Sequence, residues 1–205
     1  MLLRERKALD GHVGDGEEQV EGILVRARDS AGAGLTPWQL RRLVQQGRLE
    51  RVSRGVYVQV AGPGCQHESL SVSALRAPGT VVCLLSALHF HNLGTQNPTR
   101  LWLAYSRKRA RPILRDLPAE LVCMQPELME VGVESRWLDG VEVRITNPAR
   151  TVLDCLRLRR LVGLDVALEA LREYVQLGLD FQDLRTLASR LRVAGLLAPY
   201  LEALS

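Results

Sequence analysis

From residue 17 to 29 the apolar residues Val20, Ile23, Leu24 and Ala27 recur at helical spacing and predict a helix over that stretch. The small residues of SAGAG, 30–34, break it. Thr36-Pro37 then starts another helix, with a hydroxyl residue at the cap and proline at the first helical position, and Gly47 ends it. On a helical wheel Leu40, Leu43 and Val44 share one side, while Trp38, Arg41, Arg42 and Gln45 occupy the other. Beyond Gly47 the pattern tightens. Leu49 and Val52, then Val56, Val58 and Val60, predict two short strands joined through Arg54-Gly55.

AGPGC at 61–65 reads as a linker. After it the pattern is mixed. Strands are predicted in TRLWLAY (99–105), ELVCMQ (120–125), and ESRWL and VEVRIT (134–138 and 141–146), the last two flanking an Asp139-Gly140 hairpin turn. Asn147-Pro148 repeats the cap-and-proline signal, and helices follow over 149–161, 165–176 and 181–191, with a short final helix containing Pro199 and Tyr200. The fold class expected is therefore α+β: a loosely ordered arm at 1–16, a winged helix-turn-helix at 17–61, a linker at 62–65 and a mixed α/β domain at 66–205.

Charge sharpens this division. The net charge is only +4, but residues 100–115 hold six basic and no acidic side chains, while residues 116–205 hold ten basic against fourteen acidic. Residues 36–60 hold five arginines and one acid, Glu50. Lys7 and Lys108 are the only lysines, and arginine's planar fork suits bidentate contact with phosphate or guanine.

The apolar runs fall far short of the roughly 20 residues that a membrane-spanning helix needs. The N-terminal MLLRERKALD carries charge through its apolar stretch, so no secretory signal is expected and the protein is read as cytoplasmic. Cys65, Cys83, Cys123 and Cys155 lie among apolar neighbours without metal-ligand spacing, and are expected as buried free thiols.

The helix at 36–46 combines an apolar seam with an Arg/Gln face, which is what a helix in a major groove requires: arginine reads guanine and glutamine reads adenine. An arginine-bearing hairpin behind it suits phosphate contact. The candidate DNA-binding residues are Trp38, Arg41, Arg42, Gln45, Arg48, Arg51, Ser53 and Arg54, with Gly55 as a tight-turn residue. A second basic patch, Arg107, Lys108, Arg109 and Arg111, is either a solvated loop, a further nucleic-acid contact or an electrostatic docking surface.

Catalytic signatures are missing. His89 and His91 would point about 200° apart on a helix, which does not suit a shared metal. Arg150 and Asp154 stand one turn apart and are expected to serve structure. The chain has no Asp-x-Asp for a two-metal phosphoryl-transfer site, no phosphate-binding glycine loop and no nucleophile elbow. No enzyme activity, cofactor or metal is expected. The rival readings are a nuclease or nucleotidyltransferase using the second domain, and a ligand-sensing regulator without a toxin partner.

LTPWQLRRLVQQGRLERVSRGVY at 35–57 resembles the N-terminal winged-helix domain of AbiEi-like antitoxins, the transcriptional regulators of type IV toxin-antitoxin systems linked to abortive phage infection. VVCLLSALHFHNL (81–93), PTRLWLAY (98–105), NPARTVLDCLR (147–157), GLDVALEALRE (163–173) and PYLEAL (199–204) extend the resemblance, which runs from about residue 18 onward. It implies a repressor that binds inverted repeats of double-stranded DNA in its own promoter. It also implies a C-terminal domain that neutralises a nucleotidyltransferase-like toxin without a stable complex.

Overall fold

The computed structural model describes residues 24–26, 36–53, 55–59, 67–115 and 117–203. Two compact units divide the chain, Met1–Gln66 and His67–Ser205.

The first unit contains β1 (Leu24–Arg26), α1 (Pro37–Gln45), β2 (Leu49–Ser53) and β3 (Val56–Gln59). Its strands form an antiparallel sheet in the order β1-β3-β2. The helix expected at 17–29 is overturned at its centre, where Leu24–Arg26 pairs with Val56–Val58. A short apolar run satisfies either period, and the open edge of β3 supplies the hydrogen bonds that decide the outcome. The rest of 17–29 and the arm at 1–16 lie outside the described residues. Helix α1 packs against β2, and Leu40, Leu49 and Val56 are buried.

The second unit runs α2 (Glu68–Arg76), β4 (Val81–Val82), α3 (Leu84–Phe90), β5 (Leu101–Ser106), β6 (Ala119–Met124), a 3-10 turn (Pro126–Leu128), β7 (Val133–Leu138), β8 (Val141–Thr146), α4 (Pro148–Arg157), α5 (Arg159–Val162), α6 (Leu164–Gln176), α7 (Phe181–Arg190) and α8 (Ala194–Glu202). Its mixed sheet has the order β6-β5-β4-β8-β7. Strand β4 pairs antiparallel with β5 and parallel with β8, β5 pairs parallel with β6, and β7–β8 is an antiparallel hairpin. Asp139 and Gly140 both adopt left-handed backbone, φ 48° and 76°, as a two-residue hairpin turn demands. The Asp139 carboxylate accepts from the His67 backbone N–H and the Ser71 hydroxyl, each at 3.2 Å, and so fastens the hairpin tip to α2.

Helix α4 is the spine of this unit, buried from Ala149 to Leu156. Around it, residues of α3, α6, α7 and α8 complete one core with Val81, Ala104 and Met124 of the sheet. The helix expected over 149–161 is divided at Leu158, where φ −103° and ψ 25° leave helical geometry. Cys83 and Cys155 are buried free thiols, but Cys123 is exposed, against expectation, because β6 is an edge strand whose apolar alternation covers only part of its length. Cys65 lies outside the described residues.

Candidate nucleic-acid interface

Both ends of α1 are closed by its own residues. Gln39 N–H donates to Thr36 Oγ1 at 3.3 Å, and Thr36 N–H donates to Gln39 Oε1 at 2.7 Å. This reciprocal capping box satisfies two backbone donors. At the other end Gly47, φ 69°, donates to Val44 O at 3.0 Å and Arg48 N–H donates to Leu43 O at 2.9 Å. That pair of bonds is a Schellman motif.

Between the caps the wheel holds. Leu40 is buried, Leu43 and Val44 are half-buried, and Arg41, Arg42 and Gln45 are exposed. Trp38 is 65% exposed, yet the Arg42 guanidinium carbon lies 5.5 Å from its ring centroid. The indole restricts where that cation can point, a pairing worth about 0.5–1 kcal/mol at an exposed site. Hydrophobic spacing gave no sign of this contact, although a Trp-x-x-x-Arg spacing on a helix would have found it.

The chain leaves the helix through exposed Arg48 into β2. Arg51 is exposed and opposite Tyr57, after which the register shifts before Ser53 meets Val56. Gly55, φ 76°, sits in this turn, where a bulge requires a left-handed residue. Ser53 ends β2, and Arg54 lies outside the described residues. Val56 anchors the hairpin, whereas Val58 is only half-buried.

In the second unit Arg107, Lys108, Arg109 and Arg111 are all exposed and follow β5 directly. Among the described residues none of the four is in an ion pair with an acid.

The other constellations are architectural. His91 Nε2 donates to Thr146 O at 2.7 Å and burial pushes the imidazole below its usual pKa, while His89 is exposed. Among the described residues no group of three potential ligands could hold a metal. Arg150 Nε donates to Asp154 Oδ2 at 2.8 Å with both side chains wholly buried, and Arg157 Nη2 donates to Asp154 Oδ1 at 2.8 Å. Arg150 further donates to the carbonyls of Leu128 and Val131. Ser71, His67 and Asp139 gather three residue types of a hydrolytic triad, but His67 contributes its backbone N–H and its ring packs on Phe90 at 5.3 Å. No helix among the described residues is long and apolar enough to cross a membrane.

Curated proteins give no match to this chain. Among solved structures, the crystal structure of the RV2827C protein from Mycobacterium tuberculosis is similar with a TM-score of 0.55 at 14% identity, over 82% of this chain and 66% of that one. The likeness is one of fold, and the chain spans just under two thirds of that protein's crystallised length. At the level of sequence, residues 21–58 match the model of the family described as "Transcriptional regulator, AbiEi antitoxin", so the family likeness resides in the segment that holds β1, α1 and the β2–β3 hairpin.

Proposed function

We propose that the protein is a cytoplasmic, DNA-binding transcriptional repressor and antitoxin of a type IV, AbiE-like toxin-antitoxin system with a role in phage defence. The observation that carries this reading is the doubly capped α1, which presents Arg41, Arg42 and Gln45 to solvent directly ahead of an arginine-bearing hairpin. Residues 17–61 act as a winged helix. Strand β1 supports that reading by giving the hairpin a short third strand in the order β1-β3-β2, although it stands where the first helix of the helix-turn-helix was expected. Helix α1 enters the major groove of a promoter inverted repeat, with Arg48, Arg51, Ser53 and Arg54 on phosphates. The family match over 21–58 supports a regulator of transcription. The antitoxin half of the proposal is supported by that family's description, and the resemblance that continues beyond the linker implies that the second unit neutralises a nucleotidyltransferase-like toxin without a stable complex.

The test is a binding titration on the promoter of the protein's own operon. Arg41→Ala/Arg42→Ala removes two base contacts of about 1–3 kcal/mol each and weakens binding by about thirtyfold or more. The melting temperature falls by only a few degrees, because both side chains are exposed and the lost Arg42–Trp38 contact is worth about 0.5–1 kcal/mol. Unchanged affinity in the double variant overturns the assignment of α1.

A further inference from the structure

We infer that the open edge of β7 is an interface for a second copy of this chain, the two β7 strands pairing antiparallel about a two-fold axis at Ser135. The interface belongs to the second unit and does not depend on how α1 is read.

Strand β7 ends the mixed sheet, and β8 occupies only one of its edges. The tight turn at Asp139-Gly140 decides which backbone groups β8 uses. In a two-residue hairpin the flanking pair, here Leu138 and Val141, exchanges both of its backbone bonds, and bonded pairs then recur at every second residue. The far end of the hairpin keeps this parity, because Asn147 N–H donates to Gly132 O at 2.9 Å. Glu134 and Arg136 therefore turn their backbone groups to β8, whereas Val133, Ser135 and Trp137 turn theirs out of the sheet.

Proteins usually blunt such an edge with proline, lysine or a bulge. Strand β7 has none of these: its sequence is VESRWL, and its register with β8 runs unbroken from Val133 to Leu138. It carries Trp137 instead, which at 75% is the most exposed large apolar side chain among the described residues.

Charge selects the partner. Glu134 and Arg136 share one face of β7, where Arg136 Nε and Nη2 donate to Glu134 Oε1 at 3.0 and 2.9 Å. Pairing two copies about Ser135 sets Glu134 of each opposite Arg136 of the other. On the other face it sets Trp137 against Val133, an aromatic facing a β-branched residue. An axis at Glu134 or Arg136 sets a like charge against itself, and parallel in-register pairing does so twice. Within the strand only the axis at Ser135 matches both charges. The sheet's other edge, β6, carries one charged residue, Glu120, and has no such match. A six-residue strand is about 20 Å long, so the contact is smaller than the roughly 1,200–2,000 Å² of a standard interface and the dimer dissociates on dilution.

The test is the oligomeric state of the full chain, by sedimentation equilibrium from about 5 to 500 µM. Wild type shifts from one chain towards two as concentration rises. Arg136→Glu alone and Glu134→Arg alone each put like charges opposite one another across the axis, and each weakens self-association by about tenfold or more. Mixing the two variants restores opposite charges at every facing position and recovers the association as a heterodimer, which also shows that both are folded. The exchange Glu134→Arg/Arg136→Glu keeps the ion pair within the strand and keeps the dimer. Trp137→Ala, at an exposed position, leaves the fold intact and weakens association by about threefold or more. A wild-type chain that stays single up to about 500 µM overturns the inference. So does a dimer that neither charge reversal weakens, since its contact lies elsewhere.

Discussion

Arg150 brings a full charge into the core, and its neighbours explain how the fold tolerates it. Asp154, two carbonyls and the Met124 sulfur receive its donors, the last at 3.6 Å. Gly132, φ 60°, makes room for the side chain, since a Cβ there would stand 2.8 Å from Arg150 Cβ. Asp154 is the vulnerable member of the group because it serves Arg150 and Arg157 together. Asp154→Asn leaves Arg150 buried without its counter-charge and costs about 3–5 kcal/mol, measurable as a lower midpoint in urea unfolding. Arg157→Met is milder, since the Arg157 side chain is 26% exposed and its Nε has no hydrogen-bond partner. A mild effect from Asp154→Asn would mean that Arg150 reaches water.

At the scale of the element, α1 is short and owes its order to its ends. Thr36→Ala removes the hydroxyl of the capping box and costs about 1 kcal/mol. Gly47→Ala forces a Cβ into left-handed backbone and costs about 1–2 kcal/mol, although nothing lies within 4 Å of that Cβ. Both variants lower the thermal midpoint, and both weaken promoter binding less than Arg41→Ala/Arg42→Ala. Equal losses of binding would show that order in α1, and not its arginines, sets affinity.

The features that mark this helix, Thr36-Pro37 and Gly47, are side-chain chemistry at fixed offsets, and for that reason sequence locates them well. Asp139-Gly140 and Asn147-Pro148 were legible on the same grounds. Strand β1 was not, because Ile23, Leu24 and Val25 fit either period and a strand more than thirty residues away decides between them. Helix α2 carries Ser69, Ser71 and Ser73 through its centre, which hides its apolar face, and β4 is two residues long, too short for any period to register. The exposed Arg/Gln face of α1 could be read from its wheel. The tie from Arg109 to Pro78 could not, since it joins residues 31 positions apart.

Across the whole molecule, pH bounds stability from both sides. His91 is held below its ordinary 6.5 mainly by burial, with Thr146 O and Glu134 favouring the proton and Arg136 opposing it. Below about pH 6.5 the unfolded chain takes up a proton that the fold resists, so stability falls as pH drops. Tyr174, whose hydroxyl donates to Asp180 O at 2.6 Å, is pushed up to about 12 by burial and by Asp183 and Asp180. Its contribution is therefore lost as pH rises from about 10 towards 12. Burial also raises the Cys83 and Cys155 thiols above their ordinary 9.0, so unfolding midpoints should form a plateau between about pH 6.5 and 9, and His91→Gln, which can still donate to Thr146 O, should flatten the acid limb. An unchanged acid limb would place that loss on other groups.

The position of β4 bears on the order in which the chain can fold as it is made. All residues of the first unit precede residue 67, so its sheet can close early in synthesis, as domains generally do from the N-terminus. The second unit has no such freedom. Its two-residue central strand finds its parallel neighbour only at Ile145, more than sixty residues after Val82. A nascent chain that has emerged only to residue 140 presents β4 as an open edge, the kind of surface on which strands from other chains pair. Ribosome stalling within that window should thus leave a finished first unit attached to an aggregation-prone partial sheet.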